Sequence, residues 1–445
     1  MNTINDIQLP LYTASSNGAR ANESANKLAV EDAPFHEWYR FVLSFPSHLV
    51  RQYVDEFGIT SEQLVLDPFC GTGTTIVECK KLGVPSLGFE AHPWSQFVAQ
   101  TKTIWDVIPG DLVEAASAIE GKASRVFKRQ GIETLSNSIP SDLALRELTI
   151  DEHKLLIKGS IDPLPLHRVL TLRDMIRAKS KGKTRNLLIL ALARALPTKI
   201  GNLHFGPEVG ARGSRLDADV IGEWLKNVNR FAADLTAYRI TDDVTSTVVH
   251  TDSRTIEFPE YENAVSAVIT SPPYPNEKDY TRTVRLESVV MGYMSDKSEL
   301  RRIKKRLLRS NTRNVYVADT DDTFLPVRIP ELEHVAAEIE DRRIRMGKDS
   351  GFEKNYAKVT MQYFGGMARH LEGLKSLLKP GAKLAYVVGD QASYLRVLIR
   401  TGHLLSEIAN SLGYESERID LFRTRRATAT RSELREEVLV LRWPG

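Results

Sequence analysis

Leu64-Val65-Leu66-Asp67-Pro68-Phe69-Cys70-Gly71-Thr72-Gly73-Thr74-Thr75 is the stretch whose reading decides the fold. LVLD (64–67) has strand character and runs into a loop with two glycines. TTIVECKKLG (74–83) then reads as a helix closed by Gly83. VPSLGFE (84–90) is a second strand. Strand, glycine turn, helix and strand make one βαβ unit, and such a unit implies a parallel sheet.

Upstream, residues 1–30 are polar and aperiodic and read as a flexible arm. Aromatic and apolar residues recur at helical spacing from Phe35 to Phe57, with a helix expected just after Pro46. Downstream, residues 105–245 are helical in pattern, and strands resume at TVVHTD (247–252) and AVSAVIT (264–270). A charged helical region fills 284–375. AKLAYVVGD (382–390), a helix near 396–412, RIDLFR (418–423) and EEVLVLRW (436–443) complete the sheet, the last two strands as a hairpin. The expectation is a doubly wound, mostly parallel, seven-stranded Rossmann-like α/β sheet with a C-terminal antiparallel hairpin. Residues 31–104 and 246–445 form that unit, with 105–245 as a large helical insertion. An independent second domain is the alternative.

The chain has 445 residues, enough for two or three units or for one domain with large insertions. Its formal net charge of +3 makes no case for a polyanionic partner, so local clustering has to make it. Two cysteines, Cys70 and Cys79, exclude a disulfide framework and a four-ligand zinc site. The start, MNTINDIQLP, has no signal-peptide pattern, and the longest apolar run, Leu187 to Leu196, already contains Arg194. A reducing cytoplasm and no membrane are expected.

The first candidate site is the glycine loop itself. A ligand there meets the end of a parallel strand and the open N–H groups of a helix N-terminus. Gly71 and Gly73 permit close backbone approach and positive φ. Asp67 adds a negative charge suited to an amino or sulfonium group, and the missing Gly-Lys-Ser/Thr argues against a nucleoside triphosphate. Glu90, about 20 residues on, stands where an acid binds ribose hydroxyls in such folds. Asp252, in TDSR, is placed to reach an adenine ring. A glycine pair alone is often a plain tight turn; Asp-Pro-Phe before it and Glu90 after it point to a ligand.

Thr270-Ser271-Pro272-Pro273-Tyr274 is the second candidate. A base amine is a poor nucleophile, and acceptors aimed at its hydrogens free its lone pair. Pro272 and Pro273 lack an N–H and offer carbonyl acceptors only. Ser271 adds a hydroxyl acceptor, and Tyr274 offers a flat face for an extruded base. Neither a metal nor a covalent nucleophile is required. Cys70 reads as a packing residue, so thiolate-dependent carbon-5 chemistry is not expected. His36, His92, His204 and His250 have no metal-ligand spacing and read as structural.

Together the two segments resemble the amino-methyltransferase superfamily acting on DNA. DPFCGTGTT looks like its cofactor motif, and TSPPY looks like the form of its catalytic motif typical of cytosine-N4 enzymes. FVLSFPSHLV (41–50) looks like its helix-entry motif, and GFEAHP, HTDSR, LKPGAKLAYVVGD and the terminal hairpin are similar to its remaining strand motifs. The resemblance covers 35–105, 247–283 and 360–445, and the insertion departs from it.

The resemblance implies S-adenosyl-L-methionine as cofactor, held by Phe45, Pro46, Asp67, Pro68, Phe69, Gly71, Gly73, Thr74, Glu90 and Asp252. It implies Ser271, Pro272, Pro273 and Tyr274 as catalytic residues and double-stranded DNA as substrate. A cognate restriction nuclease is a further partner to look for. Lys278, Tyr280, Arg282, Arg301, Arg302, Lys304, Lys305, Arg425 and Arg426 are candidates for the DNA cleft; for the run at 301–309, a solvated helix face is the competing reading. Adenine N6, RNA guanine N2 and a non-catalytic DNA-binding scaffold are the rival assignments.

Overall fold

The computed structural model describes residues 30–39, 44–132, 139–206, 208–238, 244–276, 278–316, 318–349, 351–426 and 433–445. The expected arm at 1–30 lies, except for Val30, outside the described residues.

Seven strands form one sheet: β1 (Leu64–Asp67), β2 (Ser86–Glu90), β5 (Ser246–His250), β6 (Val265–Thr270), β7 (Leu378–Gly389), β8 (Glu415–Arg426) and β9 (Glu433–Arg442). Their order is β5-β2-β1-β6-β7-β9-β8, with β3 (Leu203–Phe205) and β4 (Val209–Ala211) forming a separate antiparallel pair. β1 runs parallel to β2 and β6, β2 to β5, and β6 to β7. β9 is antiparallel to β7 and β8. The chain fills the sheet outward from β1 in one direction, then returns to fill the other side from β6. The carboxyl ends of β1 and β6 therefore adjoin where strand order reverses, the place where such sheets bind ligands.

The inner strands are buried on both faces, as parallel strands covered by helices must be. Val65, Leu66, Ala267, Val268 and Ile269 are all fully buried. A further core joins the insertion to the sheet's helices: Leu112, Leu170, Leu188 and Trp224 cluster with Val77, Trp94 and Val98, and with Leu286, Val289, Val290 and Met291. Arg173 and Arg177, on the helix Pro163–Lys179, donate to the carbonyls of Val290 and Met291, each at 2.7 Å. Those carbonyls end the helix Arg285–Val290 that follows the TSPPY loop. The insertion's apolar side chains thus share their core with the sheet's flank.

Three local expectations shift. The β3–β4 pair inside the insertion has no legible strand period, because each strand is three residues long. The helix expected near 396–412 begins at Thr401, since Leu395 and Arg396 take positive φ and break the helical path. The charged region 284–375 is divided among several helices, Lys297–Lys305, Pro330–Arg345 and Tyr356–Leu374 the longest. Among the described residues, no helix is long and apolar enough to cross a membrane.

Two helical glycines give opposite stability predictions. A Cβ at Gly365 would come within 2.6 Å of Asp321 C and 2.7 Å of Asp322 Cα, whereas one at Gly121 would meet nothing nearer than the mobile Arg125 Nη1 at 3.8 Å. Alanine gains about 1 kcal/mol of helix propensity over glycine, while overpacking against backbone costs roughly 1–3 kcal/mol. Gly121→Ala should raise the melting temperature and Gly365→Ala should lower it. Thermal unfolding of the two variants reads both signs.

Candidate active site

A cavity of about 600 Å³ opens at the switch point between β1 and β6. Pro68, Phe69, Gly71 and Thr74 line it from the first motif, Ser271, Pro272, Pro273 and Tyr274 from the second. Phe45, Pro46, Glu90 and Asp252 join the same wall. Two loops about 200 residues apart in sequence converge on one space, because β1 and β6 are neighbours in the sheet.

Gly71 and Gly73 both have positive φ, 53° and 85°. A Cβ on Gly71 would meet nothing within 4 Å, so the loop is open there, whereas one on Gly73 would press to 3.1 Å of Ala99 Cβ. Gly73 lets the helix Thr74–Lys81 sit close against the helix Pro93–Lys102. Beneath the loop, Lys102 Nζ is buried and donates to Thr72 O at 2.9 Å. Burial pushes its amine down to about 7.

Asp67 stands behind the wall rather than on it. It is fully buried, and its Oδ1 accepts from Thr270 Oγ1 at 2.6 Å and from the Phe69 N–H at 3.1 Å. Oδ2 accepts no hydrogen bond among the described residues; the neighbouring Thr75 hydroxyl donates to Ile269 O. Burial raises this carboxyl to about 6, and the hydrogen bonds, Thr270's foremost, keep it from rising further.

Glu90 accepts from the Gly71 N–H at 2.9 Å through Oε2 and from the His92 N–H at 2.7 Å through Oε1. Burial lifts it to about 7 against those two bonds. Each oxygen keeps a lone pair for a ligand hydroxyl. Asp252 reaches the wall, but its carboxylate is held by Arg254, which bonds Oδ1 at 3.0 Å and Oδ2 at 2.7 Å and also pairs with Asp321. The ion pair fixes the orientation of the Asp252 carboxylate on the wall.

In the second loop, Ser271 Oγ donates to Val387 O at 3.1 Å. Spending the hydroxyl proton there leaves the oxygen's lone pairs as acceptors. The Tyr274 N–H donates to Tyr280 Oη at 3.3 Å. A Cβ at Gly389 would come within 3.1 Å of Tyr274 Cε2, so a glycine at the end of β7 makes room for the ring. Burial first, then the Glu436 charge, pushes the Tyr274 phenol up.

The basic candidates divide. Lys278, Tyr280 and Arg425 line the cavity, whereas Arg282, Arg301, Arg302 and Lys305 do not. Arg301 and Lys305 lie over the Tyr316 ring, and Arg302 pairs with Glu299. Lys304 turns inward and bonds Asp279 Oδ2 at 2.7 Å, buried, so its amine is removed from any outer surface. Arg426 lies in β8, with its side chain outside the description. Arg425 Nη2 donates to Asp390 O at 3.0 Å, and Glu436 takes two hydrogen bonds from Arg423 at 2.6 and 2.9 Å.

Several wall residues carry no motif of their own: Glu208 from the insertion, Arg306, Phe422, Arg423 and Glu436. Arg306 and Arg423 fall within basic runs visible in the sequence. Glu208 gives no signal, since only the fold carries the β3–β4 pair to the cavity.

The DNA methylase family matches residues 16–100. Over 455 residues the chain is 24% identical to type II methyltransferase M.BsoBI of Geobacillus stearothermophilus, covering 95% of this chain and 86% of that one. It is also 24% identical over 464 residues to type II methyltransferase M.AvaI of Nostoc sp., covering 96% and 91%. A short stretch of 39 residues, 9% of this chain and 7% of the other, is 38% identical to type II methyltransferase M.MjaII of Methanocaldococcus jannaschii. The two long likenesses span the insertion as well as the sheet.

Asp67 gives a signed pH prediction. Its carboxyl titrates higher in the folded chain than in the unfolded one, so it stabilises the fold fully below the unfolded value and loses that contribution as pH rises through about 6. The effect is on the order of 3 kcal/mol. Denaturant melts of Asp67→Asn between pH 4 and 7 should fall less steeply with pH than those of the wild type. Equal slopes would remove the titration from Asp67.

Proposed function

We propose, from the premise that this chain belongs to the amino-methyltransferase family, that it is a site-specific DNA methyltransferase acting on the exocyclic N4 amine of cytosine with S-adenosyl-L-methionine as cofactor. The observation that carries the reading is one cavity walled by both the glycine loop and Ser271 to Tyr274. The type II name of the relatives supports a sequence-specific modification setting, with a restriction nuclease as the partner to look for.

The residues present fit the cofactor. Its volume is in the range of a small-molecule site. The loop is open at Gly71, the helix beginning at Thr74 turns its free N–H groups toward it, and Glu90 retains lone pairs for a ribose diol. The buried Asp67 Oδ2, which accepts no bond among the described residues, adds unspent negative charge behind the loop for a cationic ligand. When bound, S-adenosyl-L-methionine supplies an electrophilic methyl group on sulfur.

The chain's part is placement and polarisation. Ser271 and the Pro272–Pro273 carbonyls accept the amine hydrogens, drawing the nitrogen toward tetrahedral geometry. With the cofactor held by the glycine loop and Glu90, its sulfur-borne methyl group would lie within reach of the nitrogen's lone pair, and the amine would give up one proton to bulk solvent. Tyr274 stacks the extruded base, which contributes about 1–3 kcal/mol against the few kcal/mol that flipping costs. Holding the reactants in line supplies roughly 7–11 kcal/mol of the barrier. Lys278, Arg306 and Arg425 put positive charge on the wall for the DNA backbone. Ser271, where an acid or amide would favour adenine, supports cytosine.

Incubation with plasmid and methyl-tritiated cofactor, followed by nucleoside analysis, tests the reading. Label in N4-methylcytosine is expected; label in N6-methyladenine would transfer the same mechanism to adenine, and unlabelled DNA would end it. Tyr274→Ala should lower kcat/KM by roughly 5- to 150-fold, the loss of one stacked base, with cofactor affinity within twofold of wild type. Ser271→Ala should show the same split between turnover and cofactor affinity.

A further inference from the structure

His92 has every property of a buried structural histidine except a partner. It is 4% exposed, and neither Nδ1 nor Nε2 finds a hydrogen bond among the described residues. It stands at the start of the helix Pro93–Lys102, yet its side chain caps no N–H there. Its backbone N–H is already given to Glu90 Oε1. Burial, with the charges of Arg285 and His250 adding to it and Asp279 opposing, pushes the imidazole down to about 3. The ring is therefore neutral near pH 7, with one donor and one acceptor. A buried polar group left unmatched costs roughly 1–3 kcal/mol, and such groups in native proteins call for a reason. The reason is in the wall: His92 lines the cavity, as do Glu90 two residues before it and Ser95 one helical turn after it.

We propose that His92 is a cofactor-binding residue whose imidazole exchanges hydrogen bonds with the ribose hydroxyls of a nucleoside ligand beside Glu90. The assignment rests on the methyltransferase reading above and adds a residue to it. A vicinal diol carries donors and acceptors together, and a neutral imidazole next to a carboxylate with spare lone pairs complements it on both counts. Glu90 accepts and His92 both donates and accepts. Asp252, the other acid on that wall, is ion-paired with Arg254.

A binding role and a structural role move stability in opposite directions. If His92 serves the ligand, exchanging it for a ring without nitrogens relieves an unmatched burial in the free protein and removes contacts from the complex. His92→Phe should therefore melt no lower than the wild type without ligand, while its dissociation constant for S-adenosylhomocysteine, measured by calorimetry, rises about 10-fold or more. His92→Asn keeps a donor and an acceptor and should recover part of that affinity. A lower melting temperature with unchanged affinity would make the residue structural and overturn the proposal. Unchanged cofactor affinity with a raised KM for DNA would overturn it too, by moving His92 to the base-binding half. If the wild type gave no heat with the nucleoside ligand, the methyltransferase reading itself would fall and carry this inference with it.

Discussion

The site depends on one hydrogen bond between two strand ends. Thr270 Oγ1 donates to Asp67 Oδ1 at 2.6 Å where β1 and β6 run out side by side. Both residues are fully buried, so the bond is made in a medium where an unpaired carboxylate is costly and a charge-assisted bond contributes about 1.5–3 kcal/mol net. It fixes the spacing of the two loops. Asp67 leads into Pro68 to Gly73; Thr270 leads into Ser271 to Tyr274. Sheet pairing sets strands about 4.8 Å apart, but only a side-chain tie beyond the last ladder bonds keeps their loops at the separation that a shared ligand requires.

The remaining walls are braced in the same manner, by charges directed inward. Arg254 gathers Asp252 and Asp321 and also donates to Lys305 O at 2.7 Å. That binds the end of β5 to the charged segment after the second loop. Gly365 allows the Asp321 backbone to press against the helix Tyr356–Leu374, closing this brace from behind. Across the cavity, β9 pairs antiparallel with β7, so Glu436 lies opposite Gly389. Two reversals make β8 run in the direction of β7, so its carboxyl end brings Arg423 and Arg425 to the same rim.

Legibility in the sequence followed the length and regularity of each element. The βαβ unit, the seven strands and the terminal hairpin all have periods or glycine turns that act within ten residues, and these fixed the sheet. The approach of the two motifs was legible only through topology. What stayed hidden has a common cause: partner choice among charged groups. Nothing in the order of residues distinguishes Lys304, which turns in to Asp279, from Lys305, which stays outside. Nor does it show that Asp252 is paired with Arg254, or that Lys102 lies under Thr72. His92 read as structural because isolated histidines usually are; its missing partners are a fact of packing. Glu208 reaches the wall from a strand pair too short to carry a period.

The insertion is the part whose composition said least, and its packing says how it bears on the site. A detachable module would have its own core and a linker, but Trp224 and Leu188 cluster with Trp94 and Leu286 across its boundary. Arg173 and Arg177 hold the end of the helix that follows the Ser271 to Tyr274 loop, and Glu208 lines the cavity itself. The position of Ser271 to Tyr274 is thus fixed from two sides: by the sheet through Thr270, and by the insertion through the helix Arg285–Val290. A loop held at one end only would sample many positions relative to the glycine turn, and a misplacement of 1 Å in such a reaction can cost about 100-fold in rate. Burying the insertion's apolar surface against the helices of the sheet therefore does more than stabilise the chain; it removes the second end's freedom.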